Sequence, residues 1–170
     1  MIKPGKCDNI CSQCDKQADS KRMFIIDGRP VCIECLYGKS KPLEIYPIGL
    51  VRNSLKRAKK GFATVGKEGV SRIELFESQK PFLYKLDEEK FITVIYYLHK
   101  TNSLKSVFNR GLDGKKVGVF ASRTPYRLSK IGIQDVRLLE IEGSILYVKG
   151  LDAVDGTPVL DIKMRWSPFD

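Results

Sequence analysis

The sequence has no long apolar run. Its longest, FITVIYYL at residues 91–98, is eight residues, far short of the roughly 18 that suggest a membrane-spanning helix. No helical membrane span is therefore expected. The N-terminal stretch MIKPGKCDNICSQC has no apolar core of signal-peptide length, so the expectation is a cytoplasmic protein with reduced thiols. There is no G-x-G-x-x-G, no P-loop and no alternation of strands with helices, which disfavours a Rossmann-type nucleotide site. Heptads, internal repeats and low-complexity tracts are also missing. Cysteine does not occur after residue 35, and histidine occurs once, as His99. Taken alone, a single histidine is more often a structural side chain than a ligand.

The 170 residues suit one ordinary domain, or one domain with a small appended module. A hydrophobic share of 42% and a charged share of 29% describe a folded soluble chain. Thirty Lys and Arg against twenty Asp and Glu give a net charge of +10. Residues 1–42 hold eight basic and five acidic side chains, and the remainder 22 and 15, so the excess is spread as +3 and +7. A polyanionic partner, most simply nucleic acid, fits that balance through counterion release.

The first 35 residues contain Cys11-x2-Cys14, seventeen residues, then Cys32-x2-Cys35. That is zinc spacing: each pair presents two thiolates to one tetrahedral ion. MFIIDGRPV between the pairs reads as two short strands about an Asp27-Gly28 turn, which would bring the pairs together. A disulfide pair or inert thiols is the alternative. Four thiolates leave no open position for a catalytic water, so the zinc would be structural, and a segment this small would take its folding energy from it. Cys7 is left without an assigned role. The arrangement is that of a zinc-ribbon or treble-clef module over residues 1–42, with YGKSKP at its boundary.

From residue 43 the apolar runs are short, turn-separated and of period near two, so the fold expected is mostly β. EIYPIGLVR, VSRIELF, FITVIYYL, KVGVFAS, DVRLLEIE, ILYVKGL and PVLDIK are the expected strands, and seven of them suggest a sandwich or a small antiparallel barrel over 43–170. Short helices are expected at SQKPFLYKLDEE and NSLKSVFNR. Glu142-Gly143-Ser144 and Asp155-Gly156 read as turns. Two basic clusters, RNSLKRAKK with Arg52, Lys56, Arg57, Lys59 and Lys60, and KTNSLKSVFNRGLDGKK with Lys100, Lys105, Arg110, Lys115 and Lys116, are either solvated faces or a phosphate-binding track.

GVFASRTPYR…IG…VRLLEIEG…LYVKGLDAVDGTPVLDIK, with YPIGLVRNSLK before it and FITVIYYLHK between, resembles the TrmO family of S-adenosylmethionine-dependent tRNA methyltransferases. The resemblance covers about residues 43–163 and leaves the cysteine module outside. It implies a small β-barrel that pairs as a homodimer, binds S-adenosyl-L-methionine near the subunit interface, and methylates the N6 nitrogen of threonylcarbamoyladenosine beside the anticodon. The donor-contacting positions it implies are His99, Lys100, Arg123, Ile133, Gly150, Leu151 and Asp152. Asp155 and Arg127 are the candidates for a catalytic role, although methyl transfer asks mainly for in-line positioning and exclusion of water. The chain departs from the family pattern at Leu128-Ser129-Lys130, where the family has Pro-Asn-Pro, and RAKKGFATVGKEG has no Pro-Arg-Gln element. A divergent paralogue acting on another RNA or a small molecule, and a noncatalytic zinc-containing nucleic-acid-binding protein, are the competing readings.

Overall fold

Alternating burial builds a closed barrel. In the computed structural model, which describes residues 10–56 and 69–166, the chain divides into two compact units, Met1–Glu44 with Asn102–Leu128, and Ile45–Thr101 with Ser129–Asp170. The second unit is a six-stranded barrel of β3 (Gly49–Arg52), β4 (Val70–Leu75), β5 (Phe91–Tyr97), β8 (Ile131–Glu142), β9 (Ile145–Lys149) and β10 (Pro158–Met164). Its order is β10-β3-β4-β9-β8-β5, and every neighbouring pair is antiparallel. Along β4 and β5 every second residue is buried, as the period of a pleated strand requires when one face meets the core. Val51, Ile73, Ile92, Val94, Val136, Leu146, Val148 and Val159 fill the interior, each at 2% exposure or less.

Two glycines are fixed by close approach. A Cβ on Gly49 would lie 2.4 Å from the Glu74 carbonyl oxygen across the β3–β4 ladder, and one on Gly132 would lie 2.5 Å from the Tyr96 ring. The Ile-Gly step at the start of β8 is therefore steric: the aromatic ring lies where a side chain would begin.

The first unit contains the hairpin β1 (Met23–Ile26) and β2 (Arg29–Cys32), then the five-residue helix α1 (Ile33–Tyr37). Asp27 and Gly28 turn the hairpin with φ of 50° and 79°, the left-handed pair a two-residue type I′ turn needs. The segment 102–128 belongs to this unit and carries the small sheet β6 (Val107–Asn109) and β7 (Lys116–Gly118). Here two expectations are corrected. NSLKSVFNR forms no helix, because Val107 and Phe108 pair with Gly118 and Val117, and the Phe108 ring meets Tyr126 edge-on at 5.9 Å. KVGVFAS is not a barrel strand: β7 stops at Gly118 and the chain tightens into a 3-10 turn at Val119–Ala121. SQKPFLYKLDEE does coil, as 3-10 turns at Glu77–Leu83 and Leu86–Glu88. No helix among the described residues is long and apolar enough to cross a membrane.

Candidate functional site

Antiparallel closure brings strand ends from distant parts of the sequence to one rim of the barrel. There β3, β5 and β9 finish while β4, β8 and β10 begin, so residues 53–56, 98–100 and 150–157 border the same opening. Asn53 ties the first of these to the third. Its Nδ2 donates to the Ala153 carbonyl at 2.8 Å and to Ser71 Oγ at 3.0 Å, while its Oδ1 accepts from the Leu55 amide at 2.9 Å. Asp155 adds a second tie: its carboxylate accepts from the Asn53 amide at 3.2 Å and from Lys56 Nζ at 2.8 Å. The Lys56 ammonium, and after it the Asn53 amide, hold the Asp155 carboxyl below the usual carboxylate range. Lys100 Nζ donates to the Lys56 carbonyl at 3.3 Å, which joins the end of β5 to the same loop.

Of the positions expected to meet a donor, His99, Lys100, Ile133, Gly150, Leu151 and Asp152 all lie in the barrel unit. Gly150 takes φ of 90° and Leu151 is buried, so this turn carries one residue into the core and leaves the next, Asp152, facing out. Although Asp152 as a residue is accessible, withdrawal of its carboxyl from bulk water raises its pKa. His99 Nδ1 is buried with no hydrogen-bond partner among the described residues. Burial, reinforced by the neighbouring Lys100 charge, lowers the pKa of the imidazole, so it is neutral at neutral pH. Ile133 is half exposed on β8, opposite Ile95.

Gln134 was not among the residues singled out by motif, yet it positions two of them. Its Nε2 donates to the Gly150 carbonyl at 2.6 Å and its Oε1 accepts from the Asp152 amide at 2.8 Å. The Asp152 carbonyl in turn accepts from the Tyr96 hydroxyl at 3.3 Å. In the sequence Gln134 is one polar residue in an alternating strand, and nothing in that pattern marks it.

Arg123 and Arg127 lie in the first unit and differ sharply from each other. Arg127 Nη2 donates to the Val119 carbonyl at 3.1 Å and to the Ser122 carbonyl. Ser122 Oγ donates to the Val119 carbonyl at 2.8 Å and accepts from the Thr124 amide at 3.3 Å. Arg127 is thus an internal staple that gives the Ser122-Arg123-Thr124-Pro125 loop its shape. The Arg123 side chain is exposed and makes no hydrogen bond or ion pair among the described residues.

Cys11, Cys14, Cys32 and Cys35 have their sulfurs all within 4.8 Å of one another. Two opposite edges of this cluster, Cys11–Cys35 and Cys14–Cys32, measure 3.7 and 3.9 Å. A tetrahedral ion with sulfur at about 2.3 Å requires edges of about 3.8 Å, so the residues fit such an ion and are far from disulfide distance. Amides of Cys32 and Gln13 donate to Cys11 Sγ at 3.3 and 3.4 Å. The Cys32 amide is the main cause that brings the Cys11 thiol down to about 6, while its hydrogen bond with Cys32 raises Cys35. Cys7, Arg57, Lys59 and Lys60 lie outside the described residues.

A polar rim on a small closed barrel, carrying the Leu-Asp and Asp-Gly-Thr-Pro turns, defines a compact binding domain without a Rossmann sheet. Residues 57–170 match the family model described as tRNA-methyltransferase O N-terminal domain, more than half of the chain, and the protein belongs to that family. It is 39% identical over 132 residues to a probable S-adenosyl-L-methionine-binding protein of Methanothermobacter thermautotrophicus, covering 75% of this chain and 93% of that one. It is 35% identical over 102 residues to the tRNA (adenine(37)-N6)-methyltransferase of Mus musculus, covering 58% of this chain and 24% of that enzyme. Among solved structures, TrmO from Pseudomonas aeruginosa aligns with a TM-score of 0.59 and 27% identity, covering 74% of this chain and 57% of that one. This chain therefore spans only part of the mouse and Pseudomonas proteins.

Proposed function

We propose that this protein is an S-adenosylmethionine-dependent methyltransferase that acts on tRNA, methylating the N6 nitrogen of threonylcarbamoyladenosine next to the anticodon. The observation that carries the reading is the gathering of His99, Lys100, Gly150, Leu151 and Asp152 around one barrel rim, in a chain of this family. S-adenosylmethionine, when bound, supplies a methyl group on a sulfonium that leaves as a thioether. The chain's own task is to bind, orient and exclude water. His99, as a neutral imidazole with an unused Nδ1, offers one hydrogen bond. Gln134 and Asn53 hold the 150–155 turn in one conformation, so its backbone groups and the Asp152 carboxyl meet a ligand without being ordered first. In the first unit, Arg123 has a guanidinium without a partner among the described residues, a group suited to a carboxylate. Asp155 and Arg127 act here as positioning residues, since each is engaged within the protein.

Zinc on Cys11, Cys14, Cys32 and Cys35 is part of the proposal, as a structural ion within a module at 1–42 that precedes the methyltransferase domain at 43–170. So are a cytoplasmic location and a homodimer. Support for self-association comes from β5 and β8, where Tyr97, Ile131 and Ile133 expose apolar surface beside the rim, the kind of patch that marks an interaction site. The test is mass spectrometry of nucleosides from tRNA incubated with protein and donor, alongside calorimetric titration of the donor. A methylated threonylcarbamoyladenosine peak is expected; donor binding without it means another acceptor, and no donor binding refutes the enzyme reading.

A further inference from the structure

The first unit holds a cavity of about 600 Å³, within the roughly 300–1,000 Å³ of pockets that take ligand-sized groups. It is bounded by the first cysteine knuckle at Ser12 and Gln13, by Arg29 of the hairpin, and by Leu104, Lys105 and Phe120 of the segment 102–128. We propose that this cavity is an RNA contact site that takes one unstacked nucleotide, its base on Phe120 and its phosphate between Arg29 and Lys105. The inference rests on the tRNA reading above and adds to it a site whose lining comes half from residues that precede the matched family region.

Three observations carry it. First, the cations converge: Arg29 and Lys105 both act electrostatically on Asp27, yet that carboxylate has both oxygens occupied by Ser106. Among the described residues neither cation has an ion pair; Lys105 lies over the Tyr126 ring at 4.8 Å. Second, Phe120 is 83% exposed although the adjacent Val119 is buried. An exposed flat ring beside cations is a stacking platform for a base and its phosphate, whereas an aliphatic surface would favour lipid. Third, residues 102–128 carry six basic side chains and one acidic, and the acid, Asp113, is held by Arg110 at 2.6 Å. A four-thiolate zinc would add a net charge of about −2 nearby, so the phosphate contact depends on these two side chains in particular. Ser12 and Gln13, whose side chains make no hydrogen bond among the described residues, can address a base edge.

The test uses the full chain and an unmodified tRNA transcript. Binding is read by fluorescence anisotropy across a salt series, for the wild type, for Phe120→Ala and for Arg29→Gln with Lys105→Gln. Each variant is expected to bind tRNA about tenfold more weakly with S-adenosylmethionine affinity unchanged. The double variant should lower the slope of log affinity against log salt by about 0.7, the value for one single-strand phosphate contact. Photocrosslinking of 4-thiouridine-substituted tRNA should label the peptide containing Phe120. Unchanged tRNA affinity and salt slope in folded variants, with methyl transfer intact, overturn the site alone. Failure of the wild type to bind tRNA at all overturns the reading beneath it. Should the double variant not fold, Phe120→Ser and the crosslink map decide the matter.

Discussion

Asp27 and Ser106 are 79 residues apart, yet the carboxylate of the first accepts from both the amide and the hydroxyl of the second. The Asp27 amide also donates to the Leu104 carbonyl at 3.3 Å, so the tip of the cysteine hairpin grips the segment that later carries Ser122 to Pro125. The Ser106 hydroxyl is the main reason that the Asp27 pKa is lowered from the ordinary 3.8. A depressed carboxylate contributes stability that is fully present above its ordinary value and is lost as pH falls through the folded value. The protection of the Ser106 amide against exchange, taken relative to its intrinsic rate at each pH, should therefore be high at neutral pH and be lost in acid, and in Asp27→Asn it should be low throughout. Identical protection in the two proteins would refute the grip.

Metal content is the simplest measurement on the first unit. One zinc per chain is expected, with Cys32→Ser losing it and exposing the hairpin to proteolysis between Met23 and Cys32. A segment of that size cannot hold itself by its core. A chelator should reproduce the effect on the wild type, with barrel signals in far-ultraviolet circular dichroism retained.

Asp155 and Lys56 are expected to behave as one unit. Asp155→Asn and Lys56→Met should each weaken donor binding by severalfold, and the double substitution should cost little more than either alone, because both remove the same tie. A collapse in turnover with donor affinity intact, seen only in Asp155→Asn, would assign that carboxylate to the chemistry instead.

Gly132→Ala should destabilise the barrel by about 1–3 kcal/mol, the usual range for overpacking, since its Cβ would enter the Tyr96 ring. Tyr96→Leu in the same chain should recover part of the thermal stability. Equal melting temperatures for wild type and Gly132→Ala would mean that the ring moves aside freely.

His99 is the only histidine, so its proton NMR titration can be read without assignment. The midpoint should fall below 6.5, chiefly from burial and secondly from Lys100. Lys100→Ala should move it upward without restoring the unperturbed value. A midpoint above 6.5 in the wild type would contradict the burial.

Six of the seven expected strands were legible because their buried faces repeat every two residues, and Asp27-Gly28 announced its turn by chemistry that few other pairs satisfy. KVGVFAS misled for a physical reason: Val119 is buried as a strand residue would be, but in a 3-10 turn, which a run of seven letters does not distinguish. The loop contacts of Arg127 were not legible. Its Nη2 donates to two carbonyls of its own loop. Those contacts depend on backbone oxygens, which every residue possesses and no sequence pattern displays. Gln134 was hidden for the same reason.

Closure of the barrel has one further consequence. Because β10 pairs with both β3 and β5, the six strands close into a ring, and among the described residues no barrel strand lies at an outer edge where a second copy would add a strand. If two barrels pair as proposed, recognition between them is written in side chains, and a single charge set among Tyr97, Ile131 and Ile133 should be enough to keep two copies apart while leaving every backbone ladder intact.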